Sequence, residues 1–149
     1  MRLLITIFIY FIFQSVAFAT SPLEGIYWGP KKDGKIQIVE ANGVFSGKLV
    51  WVQKPGVDSK NPDEKLRSRD LVGIPLFQGF HHDSDLKWKG GTIYDPESGK
   101  TYDCKLWFED GDLSKLKARG FIGISILGRT ETFERVAEDI KKDEAKSGL

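Results

Sequence analysis

Short apolar–polar alternations, cut every few residues by a tight-turn signal, run along most of this chain and leave no space for a long amphipathic helix. Gly25-Ile26-Tyr27-Trp28 opens the series. Residues 35–40 alternate, with Ile36 and Ile38 on one face, and Asn42-Gly43 follows as a strong two-residue hairpin signal. Residues 45–52 place Phe45, Leu49 and Trp51 in one phase and Ser46 and Lys48 in the other. In residues 101–108, Tyr102, Cys104, Leu106 and Phe108 alternate with Thr101, Asp103 and Lys105, which predicts a half-buried strand. Gly90-Gly91 marks a bulge within residues 88–94, and Pro75 confines residues 71–80 to an edge or bulged strand. Residues 95–99 and 109–112 read as hairpin loops. Residues 113–119 and 121–127 read as two strands parted at Gly120, and residues 129–135 as the last.

Eight or nine strands with short connections favour antiparallel neighbours. A meander of that length removes its edges by closing on itself. The expected fold class is therefore all-β, an eight-stranded antiparallel up-and-down barrel, with a two-sheet sandwich as the second arrangement. The longest connection, residues 53–70, is polar and punctuated by Pro; it is the lid candidate. Residues 137–149 form a short polar tail or helix with little apolar face.

The first nineteen residues differ in kind from the rest. Arg2 is their one charge, and an apolar run carrying Phe8, Tyr10, Phe11 and Phe13 ends at Ala17-Phe18-Ala19. A basic start, an apolar core and a small-x-small ending describe a secretory signal peptide, cleaved after Ala19 to leave Thr20 as the mature N-terminus. The core is shorter than the ~20 residues of a spanning helix, so no membrane anchor is expected after cleavage. Three segments result: residues 1–19 as signal peptide, 20–136 as the barrel domain and 137–149 as the polar tail. The product is expected outside the cytoplasm, in the periplasm or secreted.

Composition removes several functions. Lys+Arg 22 against Asp+Glu 21 leaves a net charge of +1, which offers no electrostatic footprint for nucleic acid. One cysteine allows no internal disulfide; in an oxidising compartment Cys104 reads as an inert core thiol. Ser98-Gly99-Lys100-Thr101 resembles the end of a phosphate-binding loop, but Tyr94 stands where its first Gly belongs. Gly123-Ile124-Ser125-Ile126-Leu127-Gly128 spaces its glycines wrongly for a nucleophile elbow, and no His follows. His81-His82-Asp83-Ser84-Asp85 reads as a solvated loop rather than a metal site. Asp58, Asn61 and Asp63 read as turn formers around Pro62, and Lys65, Arg67 and Arg69 as a solvated flank rather than an anion clamp. No catalytic residue, metal or cofactor is assigned.

A set of motifs nonetheless stands out: Gly25-x-Tyr27-Trp28, Gly47-Lys48-Leu49-Val50-Trp51, Asp58…Asn61-Pro62, Gly90-Gly91-x-Ile93-Tyr94-Asp95-Pro96, and Gly128-Arg129-Thr130-x-Thr132-Phe133-x-Arg135. Over residues 23–135 the chain resembles an uncharacterised family of small exported proteins of Gram-negative bacteria, a domain-of-unknown-function family. The resemblance implies a calycin-like, lipocalin-like barrel and brings no settled activity. Calycin barrels often open with Gly-x-Trp and set an Arg of the last strand against that Trp. The resemblance thus points to Gly25 with Tyr27 or Trp28, and to Arg135 as partner with Arg129 second. The family tends to carry Trp where Phe133 stands.

An eight-stranded barrel is wide enough for one small ligand. By phase, Ile38, Leu49, Trp51, Tyr102, Leu106 and Phe108 face inward. None is charged, which suits a small apolar or amphipathic ligand. The alternative is a filled barrel that acts as a structural or protein-interaction module of the cell envelope.

Overall fold

The computed structural model describes residues 20–124 and 128–138. Its eight strands are β1 (Gly25–Trp28), β2 (Gly34–Ala41), β3 (Val44–Val52), β4 (Pro75–Ser84), β5 (Lys87–Asp95), β6 (Lys100–Phe108), β7 (Lys115–Phe121) and β8 (Arg129–Arg135). They close a barrel in chain order, each strand antiparallel to the next. Tyr27 opposite Arg135 and Trp28 opposite Glu134 join β1 to β8. The up-and-down barrel expected from the alternations is the observed fold, and the sandwich is not. The segment 1–19, with its cleavage point after Ala19, and residues 139–149 of the tail lie outside the described residues. Residues 137 and 138 begin a helical turn.

Several elements differ from the sequence reading. The strand expected over residues 121–127 is absent where described: β7 runs straight through Gly120 to Phe121, and residues 122–124 form a bend and coil. Residues 71–74 precede β4, which begins at Pro75, where the missing N–H costs no ladder bond. That strand continues through His81 and His82 rather than ending before them. His82 lies opposite Trp88, with their rings 5.7 Å apart edge-on, and its Nε2 meets the Asp85 carbonyl at 2.8 Å.

Trp51 is the main correction among the inward residues. Lys35 pairs with Trp51 and the adjacent Ile36 pairs with Leu49, so Val50 is an extra residue on β3. One inserted residue reverses the parity of everything after it. Leu49 points inward, whereas Trp51 is 41% exposed on the outer wall. There its ring meets Trp28 edge-on at 5.7 Å, and the Lys35 ammonium stands 4.5 Å from the Trp28 centroid.

The lower half of the barrel is packed solid. Trp88 stands edge-on to Phe45 and Phe108, and Phe77 to Phe80 and Phe133, with centroids 5.2–5.9 Å apart. Such edge contacts add to the stabilisation from burying the rings. Paired irregularities in β4 and β5 bend the sheet around this cluster, with Gly79 and Gly90 at positive φ. Gly91 is required by packing: a Cβ there would lie 2.5 Å from the Phe80 ring.

Arg135 seals the closed end. Its guanidinium donates to the carbonyls of Leu113, Glu24 and Pro22 and to the Tyr27 hydroxyl, and lies 4.8 Å from the Tyr27 ring centroid. Tyr27 is wholly buried and donates in turn to the Leu23 carbonyl. Of the two candidate aromatics, Tyr27 therefore takes the inward place and Trp28 the outer wall. Arg129, at the opposite end of β8, takes no part in this seal.

Candidate functional site

Among the described residues, the end of the barrel away from Arg135 is open. A cup of about 1110 Å³ occupies it. Its floor and lower wall are apolar, from Ile36 on β2, Leu49 on β3, Leu76 on β4, Ile93 on β5 and Phe133 on β8. Small residues make the space on β7: Ala118 and Gly120 lie in phase with buried Leu116. The rim is charged. Lys31, on the β1–β2 loop, reaches the Glu97 carboxylate at 2.6 Å across the mouth. Burial of the floor with an open polar rim is the usual construction of a small-molecule pocket.

The expected binding residues divide into three groups. Leu49 and Tyr102 line the cup. Ile38, Leu106 and Phe108 point inward but lie fully packed below it, with exposures of 2%, 1% and 4%. Trp51 is outside the barrel, as described above. Strand phase alone predicts inward direction; it carries no information on which depth of a barrel is filled. The wall contributed by β7 and β8, including Ala118, Gly120 and Glu131, was not among the expected residues. Its signal is the pair of small residues within β7, which leave room opposite larger neighbours.

The 53–74 connection does not behave as a free flap. Asp58, wholly buried, accepts from Tyr94 Oη at 2.6 Å, from Asn61 Nδ2 at 2.8 Å and from Arg69 Nε and Nη2 at 3.1 and 2.9 Å. Tyr94 belongs to β5, so these bonds pin the connection to the barrel wall. A short 3-10 turn, Glu64–Leu66, is capped by Asp63, whose side chain accepts from the Lys65 N–H. Arg67 Nε donates to the Asn61 carbonyl at 2.8 Å. Two residues of the supposed solvated flank, Arg67 and Arg69, thus hold the loop's own shape. At the neighbouring β5–β6 turn, a Cβ at Gly99 would lie 1.9 Å from the Lys60 carbonyl oxygen, so only glycine lets the two loops touch.

The charges follow from these contacts. Burial opposes ionisation of Asp58, but hydrogen bonds from Tyr94, Asn61 and Arg69, with the Arg69 charge, outweigh it and hold the carboxyl below its ordinary value. Burial, reinforced by the hydrogen bond to Asp58, pushes the Tyr94 hydroxyl up to about 12. Cys104 is 2% exposed on the inner face of β6, and burial raises its thiol to about 12. Among the described residues no group of three or more His, Cys, Asp or Glu is gathered to hold a metal ion. Among the described residues the arrangement is an apolar floor beneath a charged rim, with the 53–74 connection pinned to the barrel wall.

Residues 25–135 match the family model described as an uncharacterized protein conserved in bacteria (DUF2147). Among solved structures, the chain is similar to protein HP1028 from the human pathogen Helicobacter pylori, described as belonging to the lipocalin family. The two share 24% identity, with 83% of this chain and 89% of that one covered and a TM-score of 0.70. That likeness is one of fold. No curated protein matches the chain.

Proposed function

Because the chain belongs to the DUF2147 family of uncharacterized bacterial proteins and folds as a lipocalin-like barrel, we propose that it binds one small amphipathic molecule in the open end of that barrel. The observation that carries this reading is the contrast between the two halves: aromatic rings fill the lower half, while Ala118 and Gly120 leave a cup above Phe133. A filled barrel acting only as a structural or interaction module would account for the lower half alone. An apolar segment of the ligand rests on Ile36, Leu49, Ile93 and Phe133, and its polar end remains among the rim charges. The protein is no enzyme in this reading: it sequesters or carries its ligand and leaves it chemically unchanged.

The same reading places the work outside the cytoplasm, after removal of residues 1–19 between Ala19 and Thr20. Intact mass of the exported protein checks that cleavage; a retained apolar segment would contradict it. Native mass spectrometry of protein purified from its own host tests the binding. A co-purified small molecule of one defined mass is expected, released on denaturation. Apo protein together with failure of every amphipathic tracer to bind would overturn the proposal.

A further inference from the structure

Two of the acids that line the cup, Asp33 and Glu97, stand on connecting loops at its rim, and two others stand on strands. Asp95 and Glu131 both continue the inward phase of their strands, Asp95 after Gly91 and Ile93, and Glu131 two residues before buried Phe133. Both line the cup. The cations that line it stand further out: Lys31 and Lys54 are on connecting loops, and Arg129 is the first residue of β8. Lys31 is already engaged with Glu97.

Glu131 and Arg129 are paired but differ in exposure. Their ion pair measures 2.6 Å from Nε to Oε1, yet the Arg129 side chain is 86% exposed and that of Glu131 only 35%. Solvent screens the exposed guanidinium more than the half-buried Glu131 side chain, whose residue pairs with Ala118 across the ladder. Asp95 is partly committed to its turn, accepting from the Glu97 N–H and from Ser98 Oγ. Glu131, third residue of β8 and opposite Ala118, is therefore the cup-lining carboxylate set furthest along its strand toward the apolar floor.

We infer that the cup selects amphiphiles with a cationic, hydrogen-donating head, a primary amine on an apolar tail, and that Glu131 is the specificity-determining residue. A carboxylate-headed lipid would meet Glu131 and Asp95 as like charges. An ammonium meets them as counter-charges at the depth where its tail reaches Phe133. Arg129 competes with the ligand for Glu131 and so weakens the preference. The inference rests on the binding reading above and refines it.

Displacement of the neutral fluorescent probe N-phenyl-1-naphthylamine from the full mature protein at neutral pH tests it. Dodecylamine, dodecanol and dodecanoate serve as competitors of equal tail length. The amine should displace the probe about tenfold more tightly than the alcohol, and the acid more weakly than either. Glu131→Gln should bring the amine down to the level of the alcohol, and Arg129→Gln should widen the gap. Added salt should narrow the wild-type gap. Equal displacement by all three, or the acid binding best, would overturn the inference and leave the binding reading standing. If neither the probe nor any of the three competitors binds, as followed by native mass spectrometry, and the protein is isolated without a ligand, the binding reading falls, and the inference with it.

Discussion

Arg135 and Tyr27 bind the last strand to the first through one cluster of hydrogen bonds, so their cost on removal is specific. Tyr27→Phe deprives Leu23 of a donor and Arg135 of an acceptor; denaturant melts should show a loss of roughly 1–2 kcal/mol. Arg135→Lys keeps the charge but not the planar fork that reaches several carbonyls, and a loss of about 2–3 kcal/mol is expected. An equal, small effect for both would show that the closed end is held by packing alone. Cys104 gives a second check. With its thiol raised to about 12 by burial, a thiol reagent should label it slowly in buffer and fast in denaturant. Trp51 gives a third. Its contacts are the edge-on Trp28 and the Lys35 ammonium on the outer wall, so Trp51→Ala should cost about 1 kcal/mol, not the several expected for a core aromatic.

The 53–74 connection is the element whose character is set by one buried carboxylate. The folded Asp58 binds its proton less readily than the unfolded chain does. Its contribution is complete above the ordinary carboxylate value of about 3.9 and is lost as pH falls through the lower folded value. Tyr94 works in the other direction: its contribution is complete below about 10 and lost as pH rises toward about 12. Hydrogen exchange at the amides of Asp58 and Leu71, which bond within the connection, should therefore speed up in acid beyond the trend of the barrel strands. Asp58→Asn should show faster exchange already at neutral pH and no further acid step. None of this was legible from local spacing, because Tyr94 lies 36 residues from Asp58 and its partnership is made by the barrel, not the chain. The strands were legible where turn chemistry marked them: Asn42-Gly43 and Gly90-Gly91 fall where a hairpin and a bulge occur. The Val50 bulge carries neither Gly nor Pro, so the alternation ran on unbroken and placed Trp51 on the wrong face.

At the scale of the whole molecule, the barrel divides into a half filled by aromatic rings and a half that holds the cup. Direction into the barrel could be read from phase, which is why Leu49 and Tyr102 fall on the cup; depth could not, which is why Ile38, Leu106 and Phe108 lie below it. The division makes the cup removable without loss of the fold. A Cβ at Gly120 would meet Ile93 Cγ2 and the Tyr102 Cβ at 3.5 Å each, ordinary contact distances, and a longer side chain continues into the cup. The most direct test is therefore a titration of wild type, Gly120→Leu and Trp51→Ala with N-phenyl-1-naphthylamine, beside denaturant melts of all three. The cup account predicts saturable one-to-one binding in wild type and in Trp51→Ala, and about tenfold weaker binding in a still-folded Gly120→Leu. Absence of saturable binding in wild type, or equal binding by a folded Gly120→Leu, would contradict it.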